Sequence, residues 1–110
     1  MSEEILGKVF EMISAAGTAR SKYMEAISRA KAGKMTEADA LIAEGGECFL
    51  AAHKIHGEML TEESSRIVEG GNTSMVNLIL VHAEDQMMCA ETFRLMAQEL
   101  IDVYKKMGNQ

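Results

Sequence analysis

Residues 75–107 read MVNLILVHAEDQMMCAETFRLMAQELIDVYKKM, and their spacing decides the fold. A stripe at three- and four-residue intervals runs Met75, Ile79, His82, Gln86, Cys89, Phe93, Met96, Leu100, Val103, Met107, the period of an α-helix. Only His82 and Gln86 interrupt it with polar groups. A neighbouring stripe runs Leu78, Val81, Asp85, Met88, Leu95, and there Asp85 and the nearby Thr92 are the interruptions. A titratable imidazole and a carboxylate at i and i+3 share one side of a helix. Either group in an apolar seam costs free energy unless it has a partner. A chain that keeps its pattern elsewhere and breaks it at His82 and Asp85 marks a site there.

The same helix is apolar around most of its circumference, through Leu78, Ile79, Leu80, Val81, Met87, Met88 and Cys89. Two partner helices in a small bundle cannot cover all of that surface. A second face is expected to bury against another subunit, in a closed homo-oligomer.

Working outward, the chain has 110 residues, the length of one domain spanning 1–110. It has no Pro, no Trp and only 5% aromatic residues, but 10 Met, which argues against a β-rich fold and for an all-α one. The formal net charge of −6 disfavours nucleic acid and anionic membrane surfaces and suits a partner with a basic face. The start, MSEEILGKVF, is acidic and lacks a signal-peptide core. No apolar run approaches the roughly 20 residues of a membrane span. The two cysteines, Cys48 and Cys89, fall on helical seams rather than in a disulfide framework, so a reduced, cytoplasmic protein is expected.

The first helix is expected over about residues 3–32, capped by Ser2, with Glu3 and Glu4 at the positive end of its dipole. Its seam is Ile5, Val9, Met12, Ala16, Ala19, Tyr23, Ala26, Ala30. Gly33 can take the left-handed position that ends it, and Gly17 is a weak point inside it. Thr36 reads as the cap of a second helix, about 37–68, with the seam Ala38, Leu41, Gly45, Cys48, Ala52, Ile55, Met59. Gly45 and Ala52 permit close approach of helices. The pattern decays from Thr61 to Ser65 and ends at Gly70-Gly71-Asn72, the expected loop. Thr73 or Ser74 caps the third helix, about 74–106. Three long helices joined by turns make an antiparallel bundle.

The chain has no Gly-rich phosphate loop, nucleophile elbow, CxxC or paired E-x-x-H. His53 and His56 are spaced as H-x-x-H, but no further ligand accompanies them at ligand spacing, and a solvated surface pair is the plainer reading. What remains is a single histidine, His82, able to carry something. On the residues alone His82 is either a core histidine satisfied by its neighbours or a functional group, a nucleophile or a metal ligand. A helical metal-binding or regulatory assembly module, with His82 and Asp85 as ligands and no phosphate chemistry, is one such functional reading.

The residues 81–88, VHAEDQMM, resemble the VHAQDHLM-type motif of the lactose/cellobiose-type enzyme IIA of the bacterial phosphoenolpyruvate-dependent sugar phosphotransferase system. The stretch Gly17-Thr18-Ala19-Arg20-Ser21 resembles that family's G-x-A-R-S, and the small residues Ala26, Ala30, Gly33, Ala38 and Ala40 fall where the family places its own. Ala52-His53 followed by Met59-Leu60 resembles the end of its second helix, so the likeness covers the whole chain. Gln86 stands where a His is common, Glu84 where Gln is usual, and His56 where Gln is usual.

The resemblance implies a homotrimer of three-helix bundles. It implies that His82 accepts a phosphoryl group from HPr, as a tele-phosphohistidine, and passes it to a cysteine of the IIB component. It implies that Asp85, one per subunit at the trimer axis, holds Mg²⁺ or a similar divalent cation, with Gln86 in a supporting role. The sugar would be a β-linked disaccharide such as lactose, cellobiose or chitobiose. The chemistry is sound in itself. Neutral imidazole is a good nucleophile near pH 7, and phosphoryl transfer depends mainly on positioning and charge stabilisation.

Overall fold

The computed structural model describes residues 2–71 and 78–108. They form three helices, α1 (Glu3–Lys31), α2 (Met35–Val68) and α3 (Leu78–Gly108). The expected caps at Thr73 and Ser74 and the first position of the α3 stripe, Met75, lie outside the described residues.

Ser2 caps α1 as expected, its Oγ accepting from the Ile5 amide at 3.2 Å. Glu3 and Glu4 occupy the first turn. The helix runs unbroken through Gly17. Gly33, at φ +79°, ends it. The Gly33 amide donates to the Ala30 carbonyl and the Lys34 amide to that of Arg29, the paired bonds of a left-handed helix stop.

The turn is tighter than the sequence suggested. α2 starts at Met35, its N-cap position is Lys34, and no side chain caps it. Thr36 therefore lies inside the helix rather than at its cap. The stop at Gly33 delivers the chain directly into the next helix and leaves no room for a separate capping residue. The far end of α2 is at Val68, and the helix persists although the apolar pattern decays from Thr61. Residues 61–68 continue the helix, Thr61 bonds back to the Gly57 carbonyl at 3.0 Å, and a second left-handed stop falls at Gly70, φ +85°.

The bundle runs up, down and up. Asp39 near the start of α2 meets Lys105 near the end of α3 at 3.1 Å, and Arg29 of α1 meets Glu37 of α2 at 3.7 Å. The result is a rod of 61 × 23 × 19 Å in which α1 packs closely on both other helices and α2 meets α3 more loosely.

The core is built largely from small residues. The α1 seam holds, with Val9, Met12, Ala16, Ala19, Tyr23, Ala26 and Ala30 all buried. From α2 come Ala38, Gly45, Phe49, Ala52 and Met59. At Gly45 the helices come so close that a Cβ would sit 2.5 Å from Cε1 of the buried Tyr23.

α3 buries Leu80, Ala83, Met87, Ala90, Ala97 and Ile101. This is not the stripe that the large residues of α3 suggested. Ile79, Gln86, Cys89 and Phe93 are half-buried at its edge, while His82, Met96, Leu100, Val103 and Met107 are exposed. The seven-residue spacing of Ala83, Ala90 and Ala97 explains the difference. Alanines let α1 and α2 approach the α3 backbone, so the bulky side chains are displaced to the outside. Leu78, Val81, Met88 and Leu95 are each at least half exposed, so the second apolar face expected of α3 is uncovered in the single chain.

Candidate functional site

At about 100° per residue, the position of each side chain around α3 follows from its number. The buried residues Leu80, Ala83 and Met87 define the inner side. Asp85 lies roughly opposite them, on the midline of the outward face. Leu78, Val81, Met88 and Thr92 surround it, all exposed. His82 is at the edge of that face on the side of α1. Its imidazole is therefore not inside a seam of its own chain. It stands on the surface, at the border between an uncovered apolar face and the groove to α1.

The two flanks of α3 are tied to different helices. Gln86, one turn beyond His82, is half-buried, and its Oε1 accepts from Nη1 of Arg20 on α1 at 3.1 Å. Glu84 leans to the other side and meets Nε2 of His56 on α2 at 3.3 Å. The three positions at which the motif departs from its usual form thus belong to two interhelical contacts that fix the turn carrying His82. Sequence reading noted Gln86 as supporting, but it did not connect it to Arg20, 66 positions away. The signal was the basic residue of the Gly17–Ser21 motif.

His53 and His56 do not converge on one point of the surface as a metal pair would. His53 is exposed and lies beside the Phe49 ring, with centroids 5.9 Å apart, while His56 is engaged with Glu84. No group of three His, Cys, Asp or Glu side chains able to hold a metal occurs among the described residues. Asp85 makes no ion pair among them either. A metal at Asp85 therefore needs carboxylates from other chains.

Fold and site together define a small three-helix bundle that carries an exposed histidine, His82, at the border of an uncovered apolar face. Residues 7–105 match the family of lactose/cellobiose-specific IIA subunits of the PTS system, and the chain belongs to that family. It is a phosphotransferase-system component. Among its relatives, the oligo-β-mannoside-specific EIIA component of Bacillus subtilis is 38% identical over 96 residues, 87% of this chain and 83% of the relative. The crystal structure of the cellobiose-specific enzyme IIA of Bacillus anthracis superimposes with a TM-score of 0.87 at 34% identity, covering 100% of this chain and 96% of that one. IIA(chitobiose), solved in complex with HPr from the N,N'-diacetylchitobiose branch of the Escherichia coli system, gives a TM-score of 0.74 at 27% identity, covering 97% and 99%.

Proposed function

We propose that His82 is the phosphoryl carrier of this IIA component. It takes the group from phospho-HPr and delivers it to a cysteine of a IIB partner during uptake of a β-linked disaccharide of the lactose, cellobiose or chitobiose class. The observation that carries this reading is the exposure of His82 on a rigid helix, in the motif Val81–Met88, beside an anchored Gln86. A relay nucleophile must be reached by two different proteins in turn, so it belongs on the surface and not in a pocket.

In the first step the Nε2 lone pair of neutral His82 attacks phosphorus, and the bond from phosphorus to the donor breaks. In the second, a IIB thiolate attacks the same phosphorus, the P–N bond breaks, and neutral imidazole returns. Docked partners exclude water and supply the compensating charge. The chain's acidic balance, −6, favours encounter with a donor that presents a basic face. The solved complex of the chitobiose relative with HPr supports that donor.

The outward face of α3 supports a homotrimer in which three such faces meet. Asp85 from each chain would then lie at the axis and hold a divalent cation such as Mg²⁺, one per trimer. Carboxylates brought together need either a cation or protonation, and oxygen ligands select a hard ion. When bound, the ion would supply charge compensation at the interface. Two free cysteines, and the absence of any described helix long and apolar enough to cross a membrane, are consistent with action in the cytoplasm.

The test is reconstitution of the relay with phosphoenolpyruvate, enzyme I, HPr and a IIB component. The phosphoryl group should appear first on this chain, acid-labile and base-stable, and then on the IIB cysteine. A chain that assembles but takes no phosphate would leave the metal-binding or regulatory reading in its place.

A further inference from the structure

We propose that Arg20 is a positioning residue for the phosphoryl group. It holds the Gln86 amide with its NH₂ turned toward His82, where that NH₂ donates to a phosphoryl oxygen on the imidazole. This deepens the reading of His82 as the carrier and rests on it.

The orientation follows from donor and acceptor chemistry. A guanidinium can only donate. The partner of Arg20 Nη1, at 3.1 Å, must therefore be the oxygen of the Gln86 amide, and the NH₂ end must face elsewhere. Side chains on a helix lean toward its N-terminus, so Gln86 reaches back over the turn that carries His82. Residues four apart on one side of a helix have Cβ atoms about 5–6 Å apart. The two side chains are therefore neighbours on that side of α3.

Arg20 itself is half-buried, and no carboxylate pairs with it among the described residues. Arg94, also half-buried, lacks a carboxylate partner among the described residues as well, whereas other cations of the bundle have one. Lys22 meets Glu44 at 3.3 Å, Arg29 meets Glu25 at 3.3 Å, and Lys105 meets Asp39 at 3.1 Å. In a chain with 17 acidic and 11 basic residues, a half-buried arginine without an acidic partner, one amide away from the nucleophile, is a cation placed for an anion that arrives later. A phosphoryl group on His82 is such an anion. Neither Arg20 nor Gln86 makes or breaks a bond.

The experiment uses the full chain, phospho-HPr as donor, and the variants Gln86→Leu, Gln86→Glu, Arg20→Met and Arg20→Lys. Uptake rate, half-life of the phosphohistidine, its ³¹P shift and the melting temperature are read for each. Gln86→Leu and Arg20→Met should each slow uptake about ten- to a hundredfold, the range for losing one hydrogen bond to a charged group. The ³¹P shift should move. The double variant should be no slower than the slower single one, because the two act as a unit. Arg20→Lys, which keeps the charge and N–H donors but loses the planar fork, should recover part of the rate. Gln86→Glu separates function from folding. A carboxylate binds Arg20 more strongly, so the melting temperature should hold or rise, yet it cannot donate and it repels the phosphoryl group, so uptake should fall. If His82 takes phosphate in the parent protein and Gln86→Glu and Arg20→Lys match its rate, half-life and ³¹P shift, this inference is overturned and the carrier assignment survives. If His82 takes no phosphate at all, both fall.

Discussion

Replacing Gly45 with alanine should destabilise the bundle, although alanine is the better helix former. A Cβ at this position would lie 2.5 Å from Tyr23 Cε1, 2.9 Å from Cδ1 and 3.2 Å from Lys22 Cβ. Carbon atoms pack at about 3.5–4.0 Å, so the Tyr23 ring and the new methyl must separate by roughly 1 Å. Tyr23 is wholly buried and has no solvent to swing into, so α1 and α2 must move apart. Overpacking of this kind costs about 1–3 kcal/mol. The helix-propensity gain of Gly→Ala offsets about 1 kcal/mol. A contact at 2.5 Å falls in the upper half of that range, so the net loss is about 1–2 kcal/mol, and at about 4–8 °C per kcal/mol the Tm falls by about 4–16 °C. Gly46, one residue on, is the internal control, because a Cβ there meets nothing within 4 Å. Gly46→Ala should raise stability by about 0.5–1 kcal/mol. Thermal melts followed by circular dichroism, at one protein concentration, compare the two. If Gly45→Ala melts with or above the parent protein, the close α1–α2 approach is wrong.

Three further outcomes are expected. Burial raises the Tyr23 hydroxyl above its ordinary 10.0, and no described residue offers it a hydrogen bond. The folded state therefore holds that proton more tightly than the unfolded chain, and Tyr23's contribution to stability is level below about pH 10 and lost as the pH rises further. Tyr23→Phe should remove that part of the alkaline loss and cost little at neutral pH, as chemical denaturation against pH would read; a large loss at pH 7 would show that the hydroxyl has a partner. Asp85→Leu should remain a trimer, lose its cation and melt identically with and without EDTA, whereas EDTA should lower the Tm of the parent protein; an unresponsive parent would contradict a metal at Asp85. Met88→Glu, which places a charge on the outward face of α3, should reduce the sedimenting mass to about a third, and a mass unchanged from that of the parent would place the interface elsewhere.

The sequence disclosed the buried seam of α1, because its small and apolar residues recur at three- and four-residue spacing, although Leu6, Phe10 and Met24 lie outside that seam and are exposed. α3 was harder. With two apolar sides, periodicity gives the helix but not which side faces inward, and the large residues drew attention away from Ala83, Ala90 and Ala97. Burial in a close-packed bundle follows the size of the gap between helices, which no local pattern reports. The same limit hid Phe49, a core residue one position from the expected Cys48. His82, Asp85 and Gln86 stand out in the sequence because polar groups interrupt an apolar run, and the structure places His82 and Asp85 on the exposed side of α3. Their partners do not stand out. Arg20 with Gln86, and His56 with Glu84, are joined only by the folding of α1 and α2 onto α3. The Thr36 cap failed because the Gly33 stop leads straight into α2.

Mass spectrometry of the parent chain and of His82→Ala, each incubated with phosphoenolpyruvate, enzyme I and HPr, bears most directly on the carrier role. The parent should gain one acid-labile phosphate per chain, located on the peptide that contains His82, while His53→Ala and His56→Ala gain it as well. His82→Ala should gain none while keeping its helicity, since His82 is exposed and supports no core contact. Stoichiometric phosphate on His82→Ala would contradict the assignment outright.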